Sequence, residues 1–361
     1  MSQLVQIATS PGPYAVPADA FQGFVDRFVT DPVARRKLRF LAKESGMVGK
    51  HAILPDFLED GSAPWLYDDP ANPPSTRARM KVFEREAPAF AARVARQCLD
   101  RQGLAGADLD AIVTVSCTGM VAPGLDVAVA NALGMSHTAQ RHAVNFMGCY
   151  AAFHGLRLAH LLCEADPQAK VLVVCVELCS LHFRNDSSDD NLLSTALFSD
   201  GAAAVLMTGD RVTLPSLARW QAFHSCLMPE GEQSMAWHVG DTGFEMVLKR
   251  DVPALVERQI AAECRKMLAS HGLNQDDLAA YAIHPGGTQI LRAFQQALDL
   301  KDEELAASLD VLRQCGNMSS CTVVFVLEKL LAQVGPGKRL FAAAFGPGFT
   351  MECGLLETVQ P

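Results

Sequence analysis

Five stretches of this chain are apolar almost without interruption: "AIVTVSC" (111–117), "KVLVVCVEL" (170–178), "AAAVLMT" (202–208), "YAIHP" (281–285) and "RLFAAAF" (339–345). Most are rich in β-branched residues or Ala and do not alternate with polar ones. A strand can be apolar on both faces only if both faces are covered, so these runs predict sheets sandwiched between helices. Helical periodicity fills the gaps, at roughly 85–101, 124–134, 150–165, 252–271, 288–299 and 320–334. The chain therefore reads as α/β, with layered sheets and helices. Its 361 residues, 49% of them hydrophobic, suffice for one large core or two fused ones.

Composition removes several functions. The net charge of −9 disfavours a general nucleic-acid binder, which would be basic. No apolar run reaches the roughly 18–20 residues a bilayer span needs, so stable membrane insertion is not expected. The opening "MSQLVQIATSPGPYAVPADAF" lacks a charged segment followed by an apolar one, so it does not read as a signal peptide. A cytoplasmic location is the expectation. Eleven cysteines then read as free thiols rather than a disulfide framework. The close pairs Cys175/Cys179 and Cys315/Cys321 lack C-x-x-C spacing, and no metal site is expected.

An internal echo gives the chain an organisation. "NFMGCYAAFHGLRLAHLL" begins Asn145-x-x-x-Cys149 and runs into an apolar helix; "NMSSCTVVFVLEKLL" begins Asn317-x-x-x-Cys321 and does the same. Two similar halves, 1–212 and 213–361, would face each other around a pseudo-twofold axis. Their two helix N-termini would then lie close together.

That geometry matters for Cys149. Alone it reads as a small core residue at the start of a buried helix. However, His284 in "AIHPGG" sits at a strand end, and Asn317 in "QCGNMSSC" sits at a loop opening a helix. A cysteine on the first helical turn is favoured as thiolate by the dipole, and an imidazole partner lowers its pKa further. Such a thiolate attacks thioesters and holds the acyl group covalently. His284 and the Asn317 amide could donate to a thioester carbonyl oxygen, stabilising the enolate left when a malonyl thioester loses carbon dioxide. The Cys149 N–H is a natural donor to the tetrahedral intermediate. Cys321, at the echoed position, is the alternative nucleophile.

The blocks "GCYAAFHGLRLA", "LFSDGAAAV", "IHPGGTQIL", "CGNMSSCTVVFVL" and "FGPGFTMECGLL" resemble those of type III polyketide synthases, the chalcone-synthase-like branch of the thiolase superfamily. They run in family order from about residue 110 to the C-terminus, and the first hundred residues match more loosely. The resemblance implies a thiolase-like αβαβα fold, a homodimer, and a Cys149–His284–Asn317 triad acting on acyl-CoA and malonyl-CoA without a cofactor. The family's two gatekeeper phenylalanines carry over to Phe198 and Phe244. Its pocket-lining positions fall on Cys117 and Ala122 in "SCTGMVAPG" and on Gly346 and Pro347 in "FGPG". "ARRKLRFLAKESGM" resembles the segment that contacts CoA phosphates, implying Arg36, Arg39 and Lys43, whose spacing puts them on one helical face.

This chain departs from plant members, with "LFSDG" and "AFGPG" where they usually read "LFGDG" and "GFGPG", and a small Ala122 where a bulkier residue is common. "VELCSLHF" is similar to bacterial members that make alkylresorcinols or alkylpyrones from long-chain starters, which is the product class expected. The rival readings are a ketoacyl synthase III, which usually has A-C-[SA]-G-F at the nucleophile, a hydroxymethylglutaryl-CoA synthase, which needs a catalytic Glu, and a non-catalytic scaffold of the same fold.

Overall fold

The computed structural model describes residues 2–58 and 66–360. The first half runs β1 (Gln3–Pro11), β2 (Tyr14–Pro17), α1 (Ala18–Phe28), α2 (Pro32–Glu44), β3 (Gly49–Ala52), α3 (Thr76–Asp100), β4 (Ala111–Ser116), α4 (Leu125–Leu133), β5 (Gln140–Asn145), α5 (Ala151–Ala165), β6 (Lys170–Leu178), α6 (Asp189–Leu197) and β7 (Asp200–Thr208). The second runs β8 (Ala218–Leu227), β9 (Met235–Gly240), β10 (Gly243–Leu248), α7 (Val252–Ser270), β11 (Leu278–Ile283), α8 (Thr288–Leu298), α9 (Ala306–Cys315), α10 (Thr322–Leu331), β12 (Arg339–Gly346) and β13 (Thr350–Thr358).

The strand order, β11-β12-β13-β8-β1-β7-β6-β4-β5, reads as a mirror about the β8–β1 junction. Outward from that junction, β1-β7-β6-β4 in one half corresponds to β8-β13-β12-β11 in the other. The senses match too: β4 and β6 pair parallel and β6 with β7 antiparallel, just as β11 and β12 pair parallel and β12 with β13 antiparallel. The connection between β7 and β8 spans 209–217.

The side-chain alternation of each strand sorts residues into layers. Val113 and Val115 of β4, and Leu340, Ala342 and Ala344 of β12, share one core with α5 and α10. Their neighbours point the other way: Ile112 packs under α3, and Phe341, Ala343 and Phe345 pack under α7 and α8. The result is five layers, αβαβα, with α5 and α10 enclosed between the two half-sheets. This is why the strand runs are unbroken and why α10 is apolar over most of its surface. Gly155 lets α5 sit against the sheet: a Cβ there would lie 2.8 Å from Val115 Cγ2 and 3.0 Å from Val173 Cγ1. A separate aromatic cluster, including Phe21, Phe24, Phe57, Tyr67 and Phe183, packs α1 against the strand-end loops above the first half.

Candidate active site

The five-layer stacking brings the start of α5 and the loop before α10 to one place. Cys149 does not lie on the first turn of α5, as expected from sequence. Gly148 takes a left-handed φ of +91°, Tyr150 is the N-cap, and the helix begins at Ala151. The cysteine therefore stands just ahead of the helix in a tight turn, still facing its N-terminal end. That turn is held from two sides. Gly148 N–H donates to Cys117 Sγ at 2.9 Å, and Pro347 presses on Gly148, where a Cβ would lie 2.2 Å from Pro347 Cδ. Gly346 packs against Tyr150 and the Cys149 nitrogen. Gly148→Ala is therefore expected to displace Cys149 and cut its acylation by starter thioester at least ~100-fold, with a lowered melting temperature. Acylation within a few-fold of wild type would contradict this placement.

His284 follows β11, its N–H donating to Ala343 O at 2.8 Å. Its ring is buried, yet neither ring nitrogen has a partner among the described residues. Buried polar atoms are rarely left so, and His284 lines a cavity of about 500 Å³ that Cys149 and Asn317 also line. Asn317 is not a helix N-cap. Its Oδ1 accepts from Ser319 N–H at 2.9 Å and its Nδ2 donates to Gly286 O at 3.3 Å, which fixes the amide. The backbone around Asn317 pairs with residues 197–199, through Asn317 N to Leu197 O and Ser199 N to Asn317 O. This bridge sets Phe198 beside Asn317 on the cavity wall.

Burial pushes the Cys149 thiol up to about 12, offset by hydrogen bonds from Ser319 and Asn317 and by the cysteine's own N–H. Burial also pushes the His284 imidazole down to about 3. Each cost applies when one group ionises by itself. Moving the thiol proton to the imidazole creates both charges together, and their attraction in a low-dielectric pocket offsets part of both penalties. Before any such transfer the pair is a thiol and a neutral imidazole lining one cavity.

Of the other residues expected from sequence, Cys117, Phe198, Phe244 and Pro347 line the cavity, and Gly346 backs Cys149. Ala122 is exposed and does not line it in this single chain. Arg36, Arg39 and Lys43 share the solvent face of α2, with Arg39 paired to Asp26, and also lie outside the cavity. The cations that do line it include Lys37 and Arg250, both paired to Asp189. Cys321 is fully buried, bonds to Gly201 O, and has no access to the cavity. Among the described residues no cluster of three or more His, Cys, Asp or Glu could hold a metal ion. None of their helices is long and apolar enough to cross a membrane.

Three residues that the sequence reading passed over complete the site. Ser319, strained at φ +49°, reaches the Cys149 sulfur. His182 stacks on Phe244 with ring centres 4.2 Å apart, accepts Phe244 N–H at Nδ1 and so donates from Nε2 to Thr118 O at 2.8 Å. Glu177 is completely buried behind the wall, accepting from Cys117 N–H, Thr118 Oγ1 and Ser320 Oγ. It does not line the cavity, so it is not placed as the catalytic acid of a hydroxymethylglutaryl-type enzyme.

Burial raises Glu177 to about 7 from an ordinary 4.5. A raised carboxyl contributes full stability below its unfolded pKa and loses it as pH rises through the folded one. Between pH 4.5 and about 7 this loss is on the order of 3 kcal/mol. Glu177→Gln should remove it. Urea unfolding is expected to show the variant gaining on wild type as pH rises from 5 to 8, and a gap independent of pH would contradict the assignment.

A layered αβαβα chain with a cysteine before one inner helix, and a histidine and an asparagine gathered at the same cavity, is a thiolase-fold condensing enzyme. Comparison with known proteins narrows this. Residues 22–211 match the N-terminal domain model of chalcone and stilbene synthases, and 221–360 match the C-terminal one. The chain belongs to that family, the type III polyketide synthases, acyltransferases that work by decarboxylative condensation. It is 34% identical over 296 residues to an alpha-pyrone synthesis polyketide synthase-like protein of Mycobacterium tuberculosis, covering 80% of this chain and 75% of that one. It is 37% identical over 264 residues to a 1,3,6,8-tetrahydroxynaphthalene synthase of Streptomyces peucetius, covering 72% and 70%. Among solved structures, PKS-I of the brown alga Ectocarpus siliculosus superposes with a TM-score of 0.93 at 28% identity, covering 99% of this chain and 98% of that one. The tetrahydroxynaphthalene synthase of Streptomyces coelicolor gives 0.89 at 29% identity, covering 99% and 100%.

Proposed function

We propose that this enzyme loads a long-chain fatty acyl group from its CoA thioester onto Cys149, extends it with malonyl-CoA, and cyclises the product to a pyrone or resorcinol. The observation that carries this reading is the lining of the cavity. It includes Phe21, Phe57, Phe183 and Leu193, apolar surface suited to an alkyl chain rather than to a polar starter. The similarity to an alpha-pyrone synthesis protein supports the same class of product.

In this mechanism His284 takes the Cys149 proton as the thiolate attacks the starter, and the Cys149 N–H faces the tetrahedral oxyanion. CoA leaves. Malonyl-CoA then sits with its thioester oxygen against His284 and Asn317, which stabilise the enolate as carbon dioxide departs. The enolate carbon attacks the acyl-Cys149 carbonyl, the C–C bond forms as the C–S bond breaks, and Cys149 is released as its thiolate. No cofactor is needed, because decarboxylation itself supplies the carbanion. Arg36, Arg39 and Lys43, outside the cavity on α2, are proposed to meet the CoA phosphates. A homodimer is proposed as well: β5 is an edge strand with alternate residues exposed, and Met120 and Leu161 are exposed on the same half.

Mass spectrometry of products from short, aromatic and long acyl-CoA starters with malonyl-CoA tests the proposal. Cyclised products from C8 or longer starters should dominate. Turnover confined to short or aromatic starters would overturn the long-chain reading.

A further inference from the structure

Lys50, on β3, lines the same cavity, and nothing in the triad chemistry uses it. Its ammonium sits among apolar walls. One of its three donors goes to Thr195 O in the last turn of α6, a carbonyl the helix itself leaves unpaired. A second meets the face of Phe21, whose ring centre is 4.6 Å away. The third has no acceptor among the described residues, and none of their carboxylates lies within ion-pair distance. Asp200 is nearby, but its oxygens are taken by Ile53 N–H, Ser180 N–H and Ser180 Oγ. Burial lowers the lysine to about 7, with Asp200 and Cys179 pulling the other way. Cys149, Cys179 and Lys50 line the same cavity, so the lysine shares one chamber with the nucleophile.

A cation kept in an apolar chamber with a free donor needs an oxygen from whatever fills the chamber. A saturated acyl chain supplies none. A chain grown by two-carbon condensation carries a ketone oxygen on every second carbon. We propose that Lys50 is a carbonyl-binding subsite that takes a β-keto oxygen of the growing chain and so fixes how that chain folds before cyclisation. The proposal rests on reading the cavity as an extension chamber and adds a named recognition group to it.

Binding can be measured without turnover. In a Cys149→Ala background, calorimetry would compare N-acetylcysteamine thioesters of octanoate, 3-oxo-octanoate and 8-hydroxyoctanoate. With Lys50 present, the 3-oxo probe should bind at least five-fold tighter than octanoyl. Lys50→Met should erase that preference while keeping octanoyl affinity, and Lys50→Arg should keep part of it. An equal preference in Lys50→Met, no preference with Lys50 present, or a preference only for the hydroxyl probe would overturn the subsite. Failure of the wild-type enzyme to consume malonyl-CoA would instead sink the functional reading, and that readout is separate from the binding series.

Discussion

Cys149→Ala is expected to abolish polyketide formation, with condensation falling at least ~10³-fold, while slow decarboxylation of malonyl-CoA continues. The two activities separate because they need different groups. Loading requires a sulfur that can accept an acyl group; in this cavity Ser319 and Asn317 reach that sulfur, and the Gly148–Cys117 contact holds the turn that carries it. Decarboxylation requires only donors at the thioester oxygen, and the His284 and Asn317 side chains remain. Serine would keep the shape but replace a thiol by an alcohol of much higher pKa, so Cys149→Ser should load starter almost as poorly. Radiolabelled carbon dioxide release, followed beside product formation, reads both activities. Loss of decarboxylation in parallel with condensation would mean that Cys149 holds the site together rather than acting as nucleophile.

Substitution of His284 should strike both activities, and two variants separate its roles. His284→Ala removes the oxyanion donor and the proton acceptor, so decarboxylation should fall by roughly 10²–10³ and condensation with it. His284→Gln keeps a neutral donor on a side chain of similar reach, so it should recover part of the decarboxylation but none of the proton transfer. The sign of the accompanying pH effect follows from the pairing. An imidazolium formed by that proton transfer would stabilise the Cys149 thiolate; without it, burial still pushes the thiol up, offset only by Ser319, Asn317 and the cysteine's own N–H. The pH profile of iodoacetamide alkylation at Cys149 should then move upward by more than one unit in both variants. An unmoved profile would show that the two side chains do not share a proton.

Much of this architecture was legible in the sequence, for a specific reason. Strands covered on both faces are apolar throughout, and β4, β6, β7, β11 and β12 all carry that mark. The sequence runs came close to their observed bounds. β5 went unread because "QRHAVN" is an edge strand whose side chains are mostly exposed or half-buried, leaving no apolar run. β8 went unread because its exposure alternates and Arg219, Gln221 and His224 interrupt it. The pseudo-twofold echo, a few matched residues in sequence, became a strand-by-strand correspondence in the sheet.

The site was legible only in part. Cys149, His284 and Asn317 stand at element junctions, and the echo gave a reason for Cys149 and Asn317 to meet. Cys149 is not on the first turn, however: the helix read at 150–165 runs Ala151–Ala165 with Tyr150 as its N-cap, so Cys149 stands ahead of it. Ser319, His182 and Lys50 act from loops and from a short strand, where no periodicity marks them. Glu177 did leave a trace: a carboxylate inside the nine-residue apolar run "KVLVVCVEL" is costly to bury unless hydrogen-bonded, and it proves to hold the loop carrying Cys117 and Thr118.

The central claim is that Cys149 carries the acyl chain. Brief incubation with a long-chain acyl-CoA and no malonyl-CoA, followed by acid quench, proteolysis and peptide mass mapping, tests it most directly. The acyl mass should appear on the peptide containing Cys149 and vanish in Cys149→Ala. An acyl group on Cys117, Cys179 or Cys321 instead, or a modification that survives in Cys149→Ala, would contradict the account.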